Sequence, residues 1–125
     1  MAKIFHRSQL PHFVSTRDTR DRLDLVTENV PVSARHMRAD RICYHPGDTA
    51  ARHYHVGSMQ AFYVLSGEGK MYVKDRVYRL RAGMIALVFP EEVHWFENDT
   101  DQNFVFVEFW APPPQETVWV FEHDC

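Results

Sequence analysis

The 125-residue chain is one domain's worth of sequence, long enough to bury a single core. Its 14 Lys and Arg against 17 Asp and Glu give a net charge of −3, without the basic surplus that nucleic acid or an anionic membrane surface demands. Two cysteines, Cys43 and Cys125, are too few for a disulfide scaffold. No apolar run approaches a membrane span, and the opening MAKIFHRSQLPHF lacks the apolar core of a signal peptide. We therefore expect one domain over residues 1–125, cytoplasmic, with neither nucleic acid nor membrane as a partner.

Residues 1–30 read as an N-terminal arm with short edge strands at 13–15 and 23–27. Within it the run Arg17-Asp-Thr-Arg-Asp-Arg-Leu-Asp24 mixes charge signs and reads as a solvated segment. Residues 32–44 alternate loosely and read as a strand, with His36, Arg38 and Asp40 in one phase. If that phase faces inward, His36 and Arg38 line a pocket; if outward, they are ordinary surface. His45-Pro-Gly-Asp48 is a turn. Residues 60–65 form an apolar strand, and Ser66-Gly-Glu-Gly69 reads as a hairpin turn into residues 70–74. Asp75-Arg76 turns into 77–80. Residues 84–89 are a continuous apolar run that reads as a strand buried on both faces. His94-Trp-Phe opens the next strand, and Asn98-Asp-Thr-Asp101 is a polar turn. Residues 104–110 are strongly β-prone and stop at Ala111-Pro-Pro-Pro114. The tail, 111–125, holds a last edge strand at 117–121. Many short strands with frequent turns imply an all-β sandwich or small barrel.

The chemistry gathers between Gly47 and Asn98. Side chains two apart on a strand share a face, so His53 and His55 can aim at one point, and Gln60 and His94 can reach it from other strands. The first stretch runs Gly47, five residues, His53-x-His55, four residues, Gln60, six residues, Gly67. It resembles the first motif of the cupins. Gly83, His94 and Asn98 resemble the second in overall spacing, but its Pro is one place late, at Pro90, and Glu91-Glu92 supply no Gly after it. The two motifs span 47–98. The resemblance implies a cupin-type jelly-roll β-barrel of two antiparallel sheets. It also implies one divalent transition metal (Zn, Ni, Mn or Fe) on His53, His55 and His94, with Gln60 either a fourth ligand or a hydrogen-bond partner of a bound water.

Gln60 stands where the cupin motif carries Glu. Three imidazoles and an amide leave the ion's 2+ charge uncompensated, which favours Lewis acidity and disfavours a ferric state. Glu108 interrupts the apolar run 104–110 and is costly there unless paired. It reads either as a proton carrier facing the metal or as a structural ion pair with an arginine. The order Glu108-Phe-Trp110-Ala-Pro112, with the Gln60 spacing, is similar to cupins that convert unsaturated uronates, where the acid and the aromatic belong to the active site. Trp110, Arg38 and Phe96 are candidate contacts to a small-molecule substrate. The expectation is a non-redox isomerase or lyase acting on a small oxygenated substrate. An Fe(II) dioxygenase and a non-catalytic binding protein are the alternatives. Apolar sheet edges in the arm and the tail strand predict a homodimer.

Overall fold

The computed structural model of the chain describes residue 4 and residues 6–10, 12–14, 20–26 and 38–120. The expectations for His36, Phe121 and Cys125 fall outside these residues. Among the described residues eleven strands follow one another: β1 (His12–Val14), β2 (Asp21–Val26), β3 (Arg38–Tyr44), β4 (His53–Val56), β5 (Met59–Ser66), β6 (Glu68–Val73), β7 (Arg76–Arg81), β8 (Ile85–Val88), β9 (His94–Glu97), β10 (Phe104–Ala111) and β11 (Glu116–Trp119). A 3₁₀ turn covers Arg7–Gln9. One antiparallel sheet has the order β1-β2-β3-β10-β5-β8, and the other β11-β4-β9-β6-β7. This is the two-sheet all-β barrel expected. No helix among the described residues is long and apolar enough to cross a membrane.

Alternation along the strands divides the barrel interior into two halves. In β10 the inward phase is Phe104, Phe106, Glu108, Trp110, all buried. The first two pack with Ile42, Tyr44, Phe62, Val64, Met71 and Phe96 as the apolar core. The next two rise out of it. The same change of character runs along β9, from Phe96 to His94, and along β5, from Phe62 to Gln60. These three inward rows are therefore aromatic towards one end of the barrel and carry polar side chains towards the other. A well-packed aromatic cluster, with Phe96 and Phe106 centroids 4.6 Å apart, forms a rigid floor beneath the polar end.

Two local expectations need correction. Ser66-Gly-Glu-Gly69 is not a hairpin turn. β5 belongs to the six-stranded sheet and β6 to the five-stranded one, so the chain crosses between sheets at Gly67. Gly67 has φ +73°, and a Cβ there would lie 2.0 Å from the carbonyl oxygen of Asn103, so the crossing passes directly over backbone. Nor is the 84–89 run buried on both faces. β8 is an edge strand in which Val88 is buried while Ile85 and Leu87 are 65 % and 54 % exposed.

The second motif's departures also have a structural outcome. Glu91 occupies the position where the motif carries glycine, and it adopts the left-handed φ of +69° that glycine favours. Its backbone N–H donates to the carbonyl of His55 at 2.9 Å, so the turn before β9 is anchored to β4 despite the non-glycine residue. Asn98 is fully buried. Its Nδ2 donates to the carbonyls of Tyr44 and Gln102 at 2.9 and 2.7 Å, and its Oδ1 accepts from the N–H of Thr100 at 3.0 Å. That side chain ties the end of β3 to the turn before β10.

Candidate metal centre

β4 and β9 pair antiparallel with His53 opposite His94, and the two-residue period places His55 beside them. One potential ligand atom from each of the three imidazoles lies within 4.8 Å of the others, a spacing one cation can bridge with modest adjustment. All three are buried. Each ring is oriented through Nδ1: His53 meets the carbonyl of Ala51, His94 the carbonyl of Glu92, and His55 the hydroxyl of Thr117, all at 2.9 Å. Carbonyls only accept, so Nδ1 of His53 and His94 carries the hydrogen, and Nε2 keeps its lone pair. Burial is the largest influence on each ring. With the neighbouring imidazole charge it holds His53 and His55 down at about 2 and about 3; burial alone does most of this at His94, about 4. The rings are neutral at pH 7, the state in which imidazole binds a metal.

Gln60 and Glu108 stand next to this cluster. The Gln60 Nε2 donates to Glu108 Oε2 at 2.5 Å, with both residues buried. With its nitrogen committed, the amide's oxygen is the atom left over, and it finds no hydrogen-bond partner. The same is true of Nε2 in His55 and His94. Three buried polar atoms without partners, of which His94 Nε2 and Gln60 Oε1 are acceptors and His55 Nε2 becomes one when its Nδ1–H donates to Thr117, are costly for a protein to keep unless something satisfies them. The group that serves all of them at once is a cation. The residues present therefore fit the divalent metal expected at this position.

Burial pushes Glu108 up to about 7, against the pull of Arg20, Arg38 and Arg22. Glu108, His53 and His55 share a cavity of about 210 Å³ with Arg20, Arg22, Arg38, Asp40, Trp110, Thr117 and Trp119. Arg38 stacks over Trp110, its guanidinium carbon 4.7 Å from the ring centroid, and lies 3.5 Å from Asp40. His53, His55, Glu108, Trp110 and Arg38 are thus gathered in one place. Phe96 is not. It is buried in the aromatic floor, one inward step deeper than His94. Arg20 and Arg22 were read as solvated yet line the cavity. Their spacing of two was the available signal, but a mixed-sign run hides it.

Residues 40–110, more than half of the chain, match the family described as Cupin domain. The chain belongs to this cupin family. No curated protein matches it significantly. Among solved structures, this cupin is similar to the polyketide cyclase RemF from Streptomyces resistomycificus, with a TM-score of 0.84 and 19 % identity over 99 % of this chain and 89 % of that one. A protein with a double-stranded β-helix domain from Klebsiella pneumoniae subsp. pneumoniae matches with a TM-score of 0.75 and 24 % identity, over 98 % and 100 %. A predicted oxalate decarboxylase from Thermotoga maritima matches with a TM-score of 0.76 and 18 % identity, over 89 % and 100 %. At these identities the likeness extends to the fold.

Proposed function

We propose that this cupin is a metal-dependent enzyme performing non-redox, isomerase- or lyase-type chemistry on a small oxygenated substrate, a carbonyl, enol or carboxylate compound. The observation that carries this reading is the set of buried ring and amide atoms without hydrogen-bond partners, His55 Nε2, His94 Nε2 and Gln60 Oε1, beside a carboxyl group pushed up to about 7. His53, His55 and His94, with Gln60 as fourth ligand, would hold one divalent ion (Zn, Ni, Mn or Fe). The bound ion would supply Lewis acidity, polarising a carbonyl oxygen and stabilising the enolate that develops from it.

The protein's own residues do the rest. Glu108 moves a proton: a carboxyl pushed up to about 7 exists in both forms at neutral pH, so it can take a proton and return it. Gln60 positions it, since its Nε2–H fixes Glu108 Oε2 and leaves Oε1 as the free corner. Trp110 walls the cavity and keeps water from the reacting end, while Arg38, braced on that ring, contacts the substrate. Polyketide cyclase, oxalate decarboxylase and sugar phosphate isomerase chemistry is named for structural neighbours of this fold, which supports an enzymatic reading without choosing among them.

Glu108→Gln tests the assignment. It keeps the shape and removes the transferable proton. Turnover of a carbonyl or carboxylate substrate should fall by about 10²- to 10⁴-fold while metal content is unchanged. Unchanged turnover would remove Glu108 from the mechanism. Substrate-dependent oxygen uptake would replace this reading with the Fe(II) dioxygenase, and binding without product would replace it with a sensor. We also propose a homodimer. The support comes from the outer face of the six-stranded sheet, where Tyr63, Leu65, Ile85, Leu87 and Phe109 are exposed, rather than from the sheet edges first considered.

A further inference from the structure

We infer that Thr117 is a positioning residue for the metal centre: its hydroxyl selects the form of His55 that can bind a cation, which makes the edge strand β11 part of the site. This deepens the metal reading above and rests on it.

The three rings are not held alike. His53 and His94 each donate Nδ1–H to a main-chain carbonyl two residues earlier, of Ala51 and Glu92. A carbonyl only accepts, so each of these rings has one compatible tautomer, with the lone pair on Nε2. His55 is the exception. Its Nδ1 lies 2.9 Å from a side-chain hydroxyl, that of Thr117 on another strand. A hydroxyl can donate or accept, so two tautomers of His55 fit the same positions. With Thr117 donating, Nε2 carries the hydrogen and cannot ligate. With Thr117 accepting, Nδ1 carries it and Nε2 presents its lone pair. That Nε2 is buried and has no hydrogen-bond partner in the protein. A cation there is compatible only with the second arrangement, in which Thr117 anchors the ring as the carbonyls anchor the other two.

Strand register delivers this support. β11 is an edge strand of the five-stranded sheet, paired antiparallel with β4. Thr117 lies directly opposite His55, and Trp119 directly opposite His53, so each sits on the face of the histidine it meets. All four line the same cavity. The Trp119 ring packs on His53, with centroids 4.8 Å apart. Main-chain bonds from the Gln115 N–H to Val56 and from the Val120 N–H to Arg52, at 3.1 and 2.8 Å, fix the strand on either side of the pair. Threonine is also branched at Cβ, which restricts its χ1 and holds the hydroxyl where backbone pairing has put it. Two of the three imidazoles thus take their orientation from the main chain of their own segments, and the third takes it from one side chain of β11.

Zinc affinity of the full chain, measured by competition with a chromophoric chelator, tests this in wild type, T117V, T117A and T117S. T117V keeps the branched shape without the hydroxyl, and T117A removes the hydroxyl without adding bulk. Both should bind zinc about tenfold to a hundredfold more weakly, while T117S, which keeps the hydroxyl, should stay within about threefold of wild type. Long-range proton–nitrogen NMR of the imidazoles supplies a readout that general loosening of the fold would not move. In zinc-loaded wild type His55 should carry its hydrogen on Nδ1, and in T117V the Nδ1–H of His55 alone should exchange faster with water. T117V and T117A binding zinc as tightly as wild type would overturn the inference and leave the metal centre standing. T117S as weak as T117V would overturn it as well, because the loss would then not be that of the hydroxyl. So would a zinc-loaded His55 with its hydrogen on Nε2. A wild type that binds no zinc would remove the metal centre, and the inference with it.

Discussion

Three imidazoles buried against one another resist protonation, and this has a consequence for stability that is separate from catalysis. In the metal-free protein His53, His55 and His94 are held down at about 2, 3 and 4, against 6.5 for the ordinary side chain. Below about pH 6.5 the unfolded chain takes up a proton at each ring, and the folded chain does not, so stability falls as pH drops. Glu108 acts in the opposite sense. Raised to about 7, it lets the folded chain take up a proton that the unfolded carboxyl, at 4.5, does not yet bind. Between pH 6.5 and 4.5 the unfolded state thus gains up to three protons and the folded state one. The net slope from these groups is at most about 2.7 kcal/mol per pH unit. Thermal melts of chelator-treated protein across this range should show Tm falling with pH, and His94→Gln should flatten the fall. A flat wild-type profile would contradict the burial of neutral imidazoles. The same residues explain what was legible in the sequence. His53 and His55 could be paired on a face because a strand's period of two leaves no other choice. Phe96 shares the inward phase of His94, but only the level of the barrel floor separates a core ring from a cavity ring, and that level is set by strands far away in sequence.

At the scale of elements, the turn before β9 carries a strain that the family motif avoids. Glu91 sits at φ +69° where glycine would sit freely, at a cost of roughly 1 kcal/mol or more for a side-chain-bearing residue. Glu91→Gly should therefore stabilise the protein. Part of the relief is offset by the greater freedom of glycine in the unfolded chain, leaving a net gain of about 0.5–1 kcal/mol in denaturant unfolding. A loss of stability would mean that the Glu91 side chain does more in the folded state than its backbone position requires. β2 shows why elements were harder to read than residues. The spacing of Arg20 and Arg22 is visible, but mixed charge pointed to solvent, and only the pairing of Arg22 with Ile42 turns Arg22 inward. Gly67 was recognisable as a break. That the break leads to the other sheet and not to a hairpin follows from the close approach of Asn103, which local sequence does not contain.

Across the whole molecule, the outer face of the six-stranded sheet is the main exposed apolar feature among the described residues. Ile85, Leu87 and Phe89 are each more than half exposed, at 65 %, 54 % and 56 %, and Tyr63, Leu65 and Phe109 add to the same surface. Contiguous apolar surface of this kind marks an interaction site. A second copy would cover it, and light scattering at micromolar concentration should report a dimer that Leu87→Lys converts to a monomer. A wild-type monomer would contradict this. The apolar run 84–89 was read as doubly buried for a physical reason: hydrophobicity alone does not distinguish a core strand from an edge strand with one apolar face exposed.

The fold, the neutral rings, the orphaned acceptors and the positioned carboxyl group all converge on a bound cation. Elemental analysis of untagged protein purified without added metal, with His53→Ala run in parallel, tests that convergence most directly. The account predicts about one divalent ion per chain in the wild type and its loss in the variant. A wild-type protein that is metal-free, and stays so after supplementation with zinc, nickel, manganese and ferrous iron, would contradict it.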